Sequence, residues 1–302
     1  MSPRSKVVLA AVLFSTGGAA IKWCGFDGWQ LAGLRAGIAC STMLLLIPEA
    51  RRGWSWRTTL VGCAYAATTL LYVQANKHTT AASAIFLQAT SPLFIFALAP
   101  RLIGEHATRR DLLQMAMMGL GLVLFFFGLD RPSATAPNPL LGDILAGTCA
   151  VTWAFTVIGY RWIAASGGSV ATAAASGSLT ACLVGLIVAQ PLSPGRAIDW
   201  AVVVFLGVCQ LGIPYVFLAR AIPRLRAVEV ALFMLIEPVL NPIWAWLVHG
   251  ERPGPAALVG GALILGATVV RSVVDARSAP PTGGAQSADA PAPSAAARGR
   301  SG

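Results

Sequence analysis

The sequence predicts an all-α integral membrane protein of ten transmembrane helices, arranged as two inverted five-helix repeats. Three observations predict it. The 302 residues are 56% hydrophobic and 11% charged, with a mean hydropathy of +0.70. Soluble domains carry about 25% charged residues, so most of this chain is built for lipid. Apolar runs long enough to cross ~30 Å of hydrocarbon as helices recur along its length. A proline-broken apolar segment then occurs twice, once in each half.

The runs fall at about 7–24, 30–48, 58–75, 80–99 and 111–129, then at 140–159, 170–190, 200–219, 228–248 and 256–274. Short breaks carrying Pro, Gly and charge separate them, as at 48–54 and 131–139. The first run follows Arg4 and Lys6 and imitates a secretory signal. More membrane-type sequence follows it, so it is expected to stay as an uncleaved first span. Residues 1–131 form the first repeat and 132–275 the second. Residues 276–302, rich in Pro, Ala, Gly and Ser, are expected to be a disordered cytoplasmic tail. Trp29, Trp54, Trp56, Trp162 and Trp200 lie near run ends, where amphipathic rings settle at the headgroup level.

The net charge of +10 forms no basic stripe, which argues against a nucleic-acid partner. The cations sit in short loops between apolar runs. With the N-terminus cytoplasmic, the inner loops gather Arg51, Arg52, Arg57, Arg101, Arg109, Arg110, Arg161, Arg220, Arg224 and Arg226. The outer side receives Lys22, Lys77, Arg131, Arg196 and Arg252. This bias places both termini in the cytoplasm, at a bacterial-type inner membrane. Five spans per half then invert the second half relative to the first. Six cysteines are scattered without metal or redox spacing.

The segment 228–251 is long enough to span, yet carries Glu237, Pro238, Asn241 and Pro242 near its middle. A carboxylate at that depth is costly and is a functional-site candidate by default. Prolines there free backbone carbonyls that something must satisfy. Residues 82–105 repeat the design by spacing rather than identity: Pro92 precedes Gly104-Glu105 by twelve positions, and Pro238 precedes Gly250-Glu251 by the same twelve. Such matched broken segments point to a transporter's binding site. Glu237 is read as a proton-coupling group or the counter-charge of a substrate amine, against the local alternative of a Glu held by neighbouring hydroxyls. Asn241 follows one turn later on the same face.

Tyr72, Gln74, Gln88, Ser91, Gln210, Thr148, Thr152 and Thr156 are further cavity-lining candidates. For the hydroxyls, the alternative is a local bond to the carbonyl four residues earlier. Arg35 lies inside the second run and needs a partner; packing against a carbonyl or carboxylate is its first reading. Lys22, Lys77 and His78 fall toward the outer third, where long cationic side chains reach the interface. Gly17, Gly18, Gly33, Gly37, Gly119 and Gly121 are read as points of close helix approach. The two Gly-Glu pairs are read as turns, a left-handed Gly followed by a Glu at the positive start of the next helix.

With these residues in view, the chain resembles the EamA-like transporters of the drug/metabolite transporter superfamily. The likeness is carried by Phe14 through Lys22, by Leu34-Arg35, and by Tyr72 through Phe94 with Gly104-Glu105 behind them. It continues in Tyr215 through Glu251 and in Gly260 through Ile264, and covers about residues 6–274. It departs at 14–17, where Phe-Ser-Thr-Gly replaces a Trp-Gly pair common in the first helix. The resemblance implies export of small metabolites, amino acids or drugs by proton exchange or facilitated diffusion, with helices 1, 3, 4, 6, 8 and 9 lining the path. The residues expected to contact substrate are Tyr72, Gln88, Trp153, Tyr215, Glu237 and Asn241, the aromatics as flat walls with a polar edge. The expectation is a secondary transporter rather than an enzyme, embedded in the lipid bilayer, binding a small molecule, open to proton coupling and needing no cofactor. The competing readings are a channel or lipid scramblase and, from His106 and Asp111 in an H-x4-D pattern, a membrane acyltransferase. No Gly-rich phosphate loop supports ATP-driven pumping.

Overall fold

The computed structural model describes residues 1–102, 133–221 and 236–278, with 113, 115–117, 119–121, 123–124, 224 and 233–234. Among these residues every regular element is helical and none is a strand. Six helices are long and apolar enough to cross a membrane: Pro3–Trp23, Gly28–Leu46, Ala81–Leu98, Pro139–Ala165, Val170–Val188 and Ala197–Ala221. Large apolar side chains face outward, with Leu45 72% and Ile187 71% exposed. Water-soluble surfaces rarely present so much apolar area; lipid accepts it.

The first span is α1 (Pro3–Ser15) and α2 (Gly17–Trp23), separated at Thr16. Ser2 caps it by accepting from the Ser5 amide at 3.1 Å. Asp27 caps α3 (Gly28–Leu46), accepting from the amides of Trp29 and Gln30 at 2.7 and 3.2 Å. A 3-10 turn at Pro48–Arg51 leads to α4 (Trp56–His78), where Ser55 and Thr58 form a reciprocal cap. α5 (Ala81–Gln88) and α6 (Ser91–Leu102) follow. The second half holds α7 (Pro139–Ala165), α8 (Val170–Val188), α9 (Ala197–Phe205), a π-helical segment at Leu206–Gly212, α10 (Ile213–Ala221), α11 (Ile236–His249) and α12 (Pro255–Ser278). Because α12 runs to Ser278, the tail expected from 276 has a helical start; 279–302 lie outside the described residues. So do the first Gly-Glu pair, most of 222–235, and both His106 and Asp111.

α4 packs on α7 and α8, and α3 on α8. Small residues make these contacts close: a methyl at Gly62 would meet the Gly177 amide at 2.8 Å, and one at Gly33 the Leu186 amide at 2.9 Å. Lipid tails are as apolar as leucine, so close packing rather than water exclusion holds such helices together. Gly119, by contrast, has nothing within 4 Å of an added methyl among the described residues, so it is not a contact point there.

Successive helices run between two ends. At the arginine end, Thr172 Oγ1 donates to the carbonyls of Glu49 and Arg52 at 2.9 and 2.7 Å, and Arg220 donates to the Leu46 carbonyl at 3.3 Å. Arg57 lies over the Trp162 ring at 5.3 Å. At the opposite end, the Gly25 amide donates to Asp199 Oδ1 at 2.7 Å, and the Asn138 amide to the His78 carbonyl at 3.1 Å. There Asp199 also binds Arg196 through two guanidinium nitrogens at 2.9 Å, which raises the guanidinium pKa above its ordinary value.

Candidate functional site

Prolines shape the interior before any side chain lines it. Pro92 has no amide to give the Gln88 carbonyl, and its ring collides with that carbonyl. The helix breaks between Gln88 and Ser91. Thr90 Oγ1 donates to the Leu87 carbonyl at 2.6 Å, satisfying part of the opened backbone. Pro214 acts the same way on Gln210: the backbone widens into the π turn at Leu206–Gly212. Non-helical backbone at membrane depth persists only where protein covers it or a cavity receives it, and here both breaks border one cavity.

That cavity has a volume of ≈ 1030 Å³. Gln88, Ser91 and Pro92 line it from the first break, and Gln210 from the π turn. Phe14 of α1, Arg35 of α3, Trp153 and Tyr160 of α7, and Glu237 and Pro238 of α11 complete the wall. All four tyrosines of the chain, Tyr65, Tyr72, Tyr160 and Tyr215, line it too. Tyr215 meets Phe14 and Tyr65 edge-on, with ring centroids 5.7 and 5.8 Å apart. Toward the arginine end the cavity reaches the exposed residues Leu46, Pro48, Glu49 and Arg220.

Of the six residues expected at the site, Tyr72, Gln88, Trp153, Tyr215 and Glu237 line this one cavity. Asn241 does not. It is fully buried behind the wall beside Gly18, and its Nδ2 donates to the Tyr72 hydroxyl at 3.1 Å. Glu237 takes part in neither ion pair found among the described residues, Lys22–Glu251 and Arg196–Asp199. Gln74 lies against Gly28, away from the cavity. Thr148, Thr152 and Thr156 donate to carbonyls three or four residues back, at 2.8–3.0 Å, and do not line it. The local reading holds for them.

Arg35 and the tyrosines at 65 and 160 were not among those six. Arg35 is 2% exposed; its Nη1 donates to Gln210 Oε1 at 3.2 Å and its Nη2 to the Thr69 carbonyl at 3.5 Å. The carbonyl partner matches its first reading, and the cavity-facing position adds to it. For Tyr65 a signal exists in the sequence: it sits inside the 58–75 run, whereas interfacial tyrosines sit at run ends. Tyr160, at the end of the 140–159 run, carries no such signal.

Beyond the cavity, toward the opposite end, lies a buried polar cluster. Lys22 Nζ pairs with Glu251 Oε1 at 2.9 Å and donates to the carbonyls of Thr79 (2.7 Å) and Thr135. Glu251 Oε2 accepts from the Ala81 amide at 2.8 Å, at the N-terminus of α5. Gly250 does adopt the left-handed conformation expected of it, with φ +67°. Glu251, however, serves the start of α5 rather than the next helix, because the fold brings that more distant terminus against it. Lys22 is therefore an internal tether, and Lys77 likewise donates inward, to the Cys24 carbonyl at 2.6 Å.

The model of the EamA-like transporter family matches residues 5–127 and 140–273. The pseudopaline exporter CntI of Pseudomonas aeruginosa strain UCBPP-PA14 is 26% identical over 211 residues, 67% of this chain and 69% of that protein. Its counterpart in the PAO1 strain is 27% identical over 209 residues, with the same coverage. A solved structure titled only "Crystal structure of protein" superposes with a TM-score of 0.61 at 22% identity, covering 91% of this chain and 98% of that one, a likeness of fold.

Proposed function

This chain belongs to the EamA-like transporter family of the drug/metabolite transporter superfamily, and we propose that it is an alternating-access carrier exporting a small metabolite, amino acid or drug across the inner membrane. The observation that carries the reading is one-sided access. The cavity reaches exposed residues at the arginine end, whereas the Tyr72–Asn241 bond and the Lys22–Glu251 cluster stand between it and the other end. A carrier needs a site closed on one side at a time; a pore needs a continuous path.

In this reading the arginine end is cytoplasmic, by the positive-inside bias, and both termini lie there. The state described is inward-open. Ten spans form two inverted five-helix repeats, a reading supported by the two stretches that the family model matches. The exporter names of the relatives support outward transport. Tyr72, Gln88, Trp153, Tyr215 and Glu237 contact the solute, and Asn241 holds the Tyr72 hydroxyl in place. The Lys22–Glu251 pair acts as the outer gate. A buried ion pair is close to break-even against full hydration, so exchanging the paired, dry state for an open, wet one costs little. That near-balance is what a gate requires.

Counterflow tests the mechanism. The solute is first identified as the metabolite that accumulates in medium of overexpressing cells. Proteoliposomes preloaded with that solute unlabelled should then transiently accumulate its labelled form above equilibrium. A channel or scramblase would equilibrate the label without overshoot, and that result would overturn the carrier reading.

A further inference from the structure

We propose that Arg35 is the anchor for a carboxylate on the transported solute; the proposal rests on the carrier reading of the cavity and names a substrate class for it. Arg35 lies in the middle of α3, buried, on the wall of the cavity. A guanidinium carries five N–H donors in a planar fork. Here two hydrogen bonds at 3.2 and 3.5 Å go to uncharged oxygens, and the buried Nε has no hydrogen-bond partner. Among the described residues no carboxylate pairs with it: Glu237 borders the same cavity without an ion pair to Arg35.

Two other cations, each with a counter-ion, make the contrast. Lys22, equally buried, has Glu251 as its counter-ion, and Arg196 has Asp199. Arg35 alone of these three faces an open, solute-sized space, and it has no ion-pair partner among the described residues. A cation at membrane depth without a counter-charge is costly, and a solute that brings an anion removes that cost on binding. Carboxylate suits the site better than phosphate. One guanidinium balances one negative charge, whereas a phosphate dianion would leave its second charge uncompensated in a low-dielectric space. The Nε–H has no partner but is closed off in the state described; with the adjacent Nη–H it forms the parallel pair of donors that a carboxylate accepts bidentately once the side chain turns toward the cavity.

The test compares export by cells expressing the wild-type chain, Arg35→Gln, Arg35→Lys or an empty vector, with untargeted mass spectrometry of the medium. The expected result is that compounds exported by the wild type carry a carboxylate, and that Arg35→Gln lowers their export about 10- to 100-fold, the loss typical of a charge-assisted bidentate contact. Arg35→Lys, which keeps the charge but not the fork, should fall between. Membrane abundance and detergent size-exclusion profiles of each variant establish folding.

A second readout separates binding from scaffolding. In proteoliposomes the wild type should transport an identified acid at least about 10-fold better than its methyl ester, and Arg35→Gln should lose that discrimination. A merely structural Arg35 would lower both rates and leave their ratio unchanged, which overturns the proposal. So would an exported set without carboxylates, while leaving the carrier reading intact. A wild type that exports nothing above vector would instead remove the carrier reading and this proposal with it.

Discussion

Glu237 and Arg35 show how a residue's surroundings decide its role. Both are ionisable side chains within apolar runs, both border the same cavity, and among the described residues neither has an ion-pair partner. Ionisable groups in a membrane ordinarily pair or face a wet space, and these take the second course. If Glu237 couples transport to protons, Glu237→Gln, which keeps shape and removes charge exchange, should abolish substrate-driven proton movement in proteoliposomes while leaving the fold intact. Unchanged proton movement in that variant would take Glu237 out of the coupling step. Asn241 works one remove from the cavity, so Asn241→Ala should weaken transport only through a freed Tyr72 hydroxyl. A loss of about 1 kcal/mol, near fivefold in affinity, is expected from transport-based titration; a complete loss would mean that Asn241 itself touches solute.

At the scale of elements, the broken helices border the cavity and a buried ion pair lies toward its far end. Pro92 and Pro214 each deny a carbonyl its amide, and the resulting break and π turn hand Gln88 and Gln210 to the cavity. Those prolines are readable in the sequence; that both breaks face one space is not. The Lys22–Glu251 pair ties the end of α2 to the turn after α11 and to the start of α5. Glu251→Gln strands a buried ammonium and should cost about 3 kcal/mol or more, seen as a lower thermal midpoint in detergent. The double variant Lys22→Met, Glu251→Gln should recover most of that loss. Equal losses in the single and double variants would show that the pair is not a unit.

On the scale of the whole molecule, the proposal of two mirrored bundles makes a sidedness claim. Reporter fusions placed after Arg101 and after Arg252 should land in opposite compartments; a shared compartment would dismantle the inverted architecture. What the chain's own pattern determined was that it is helical, lies in a membrane and belongs with transporters. Transfer of a helix into lipid is a sum over consecutive residues, and loop arginines act one by one, so both can be read locally. Site membership is a different quantity. Arg35 meets Gln210 across 175 positions, and Lys22 meets Glu251 and Thr135 from opposite halves. Five of the six expected site residues reached the cavity because they were polar or aromatic within apolar runs, but Asn241 stood one layer back, and Arg35 and two tyrosines joined them. Only folding decided this, because charge compensation depends on which distant groups arrive at the same place.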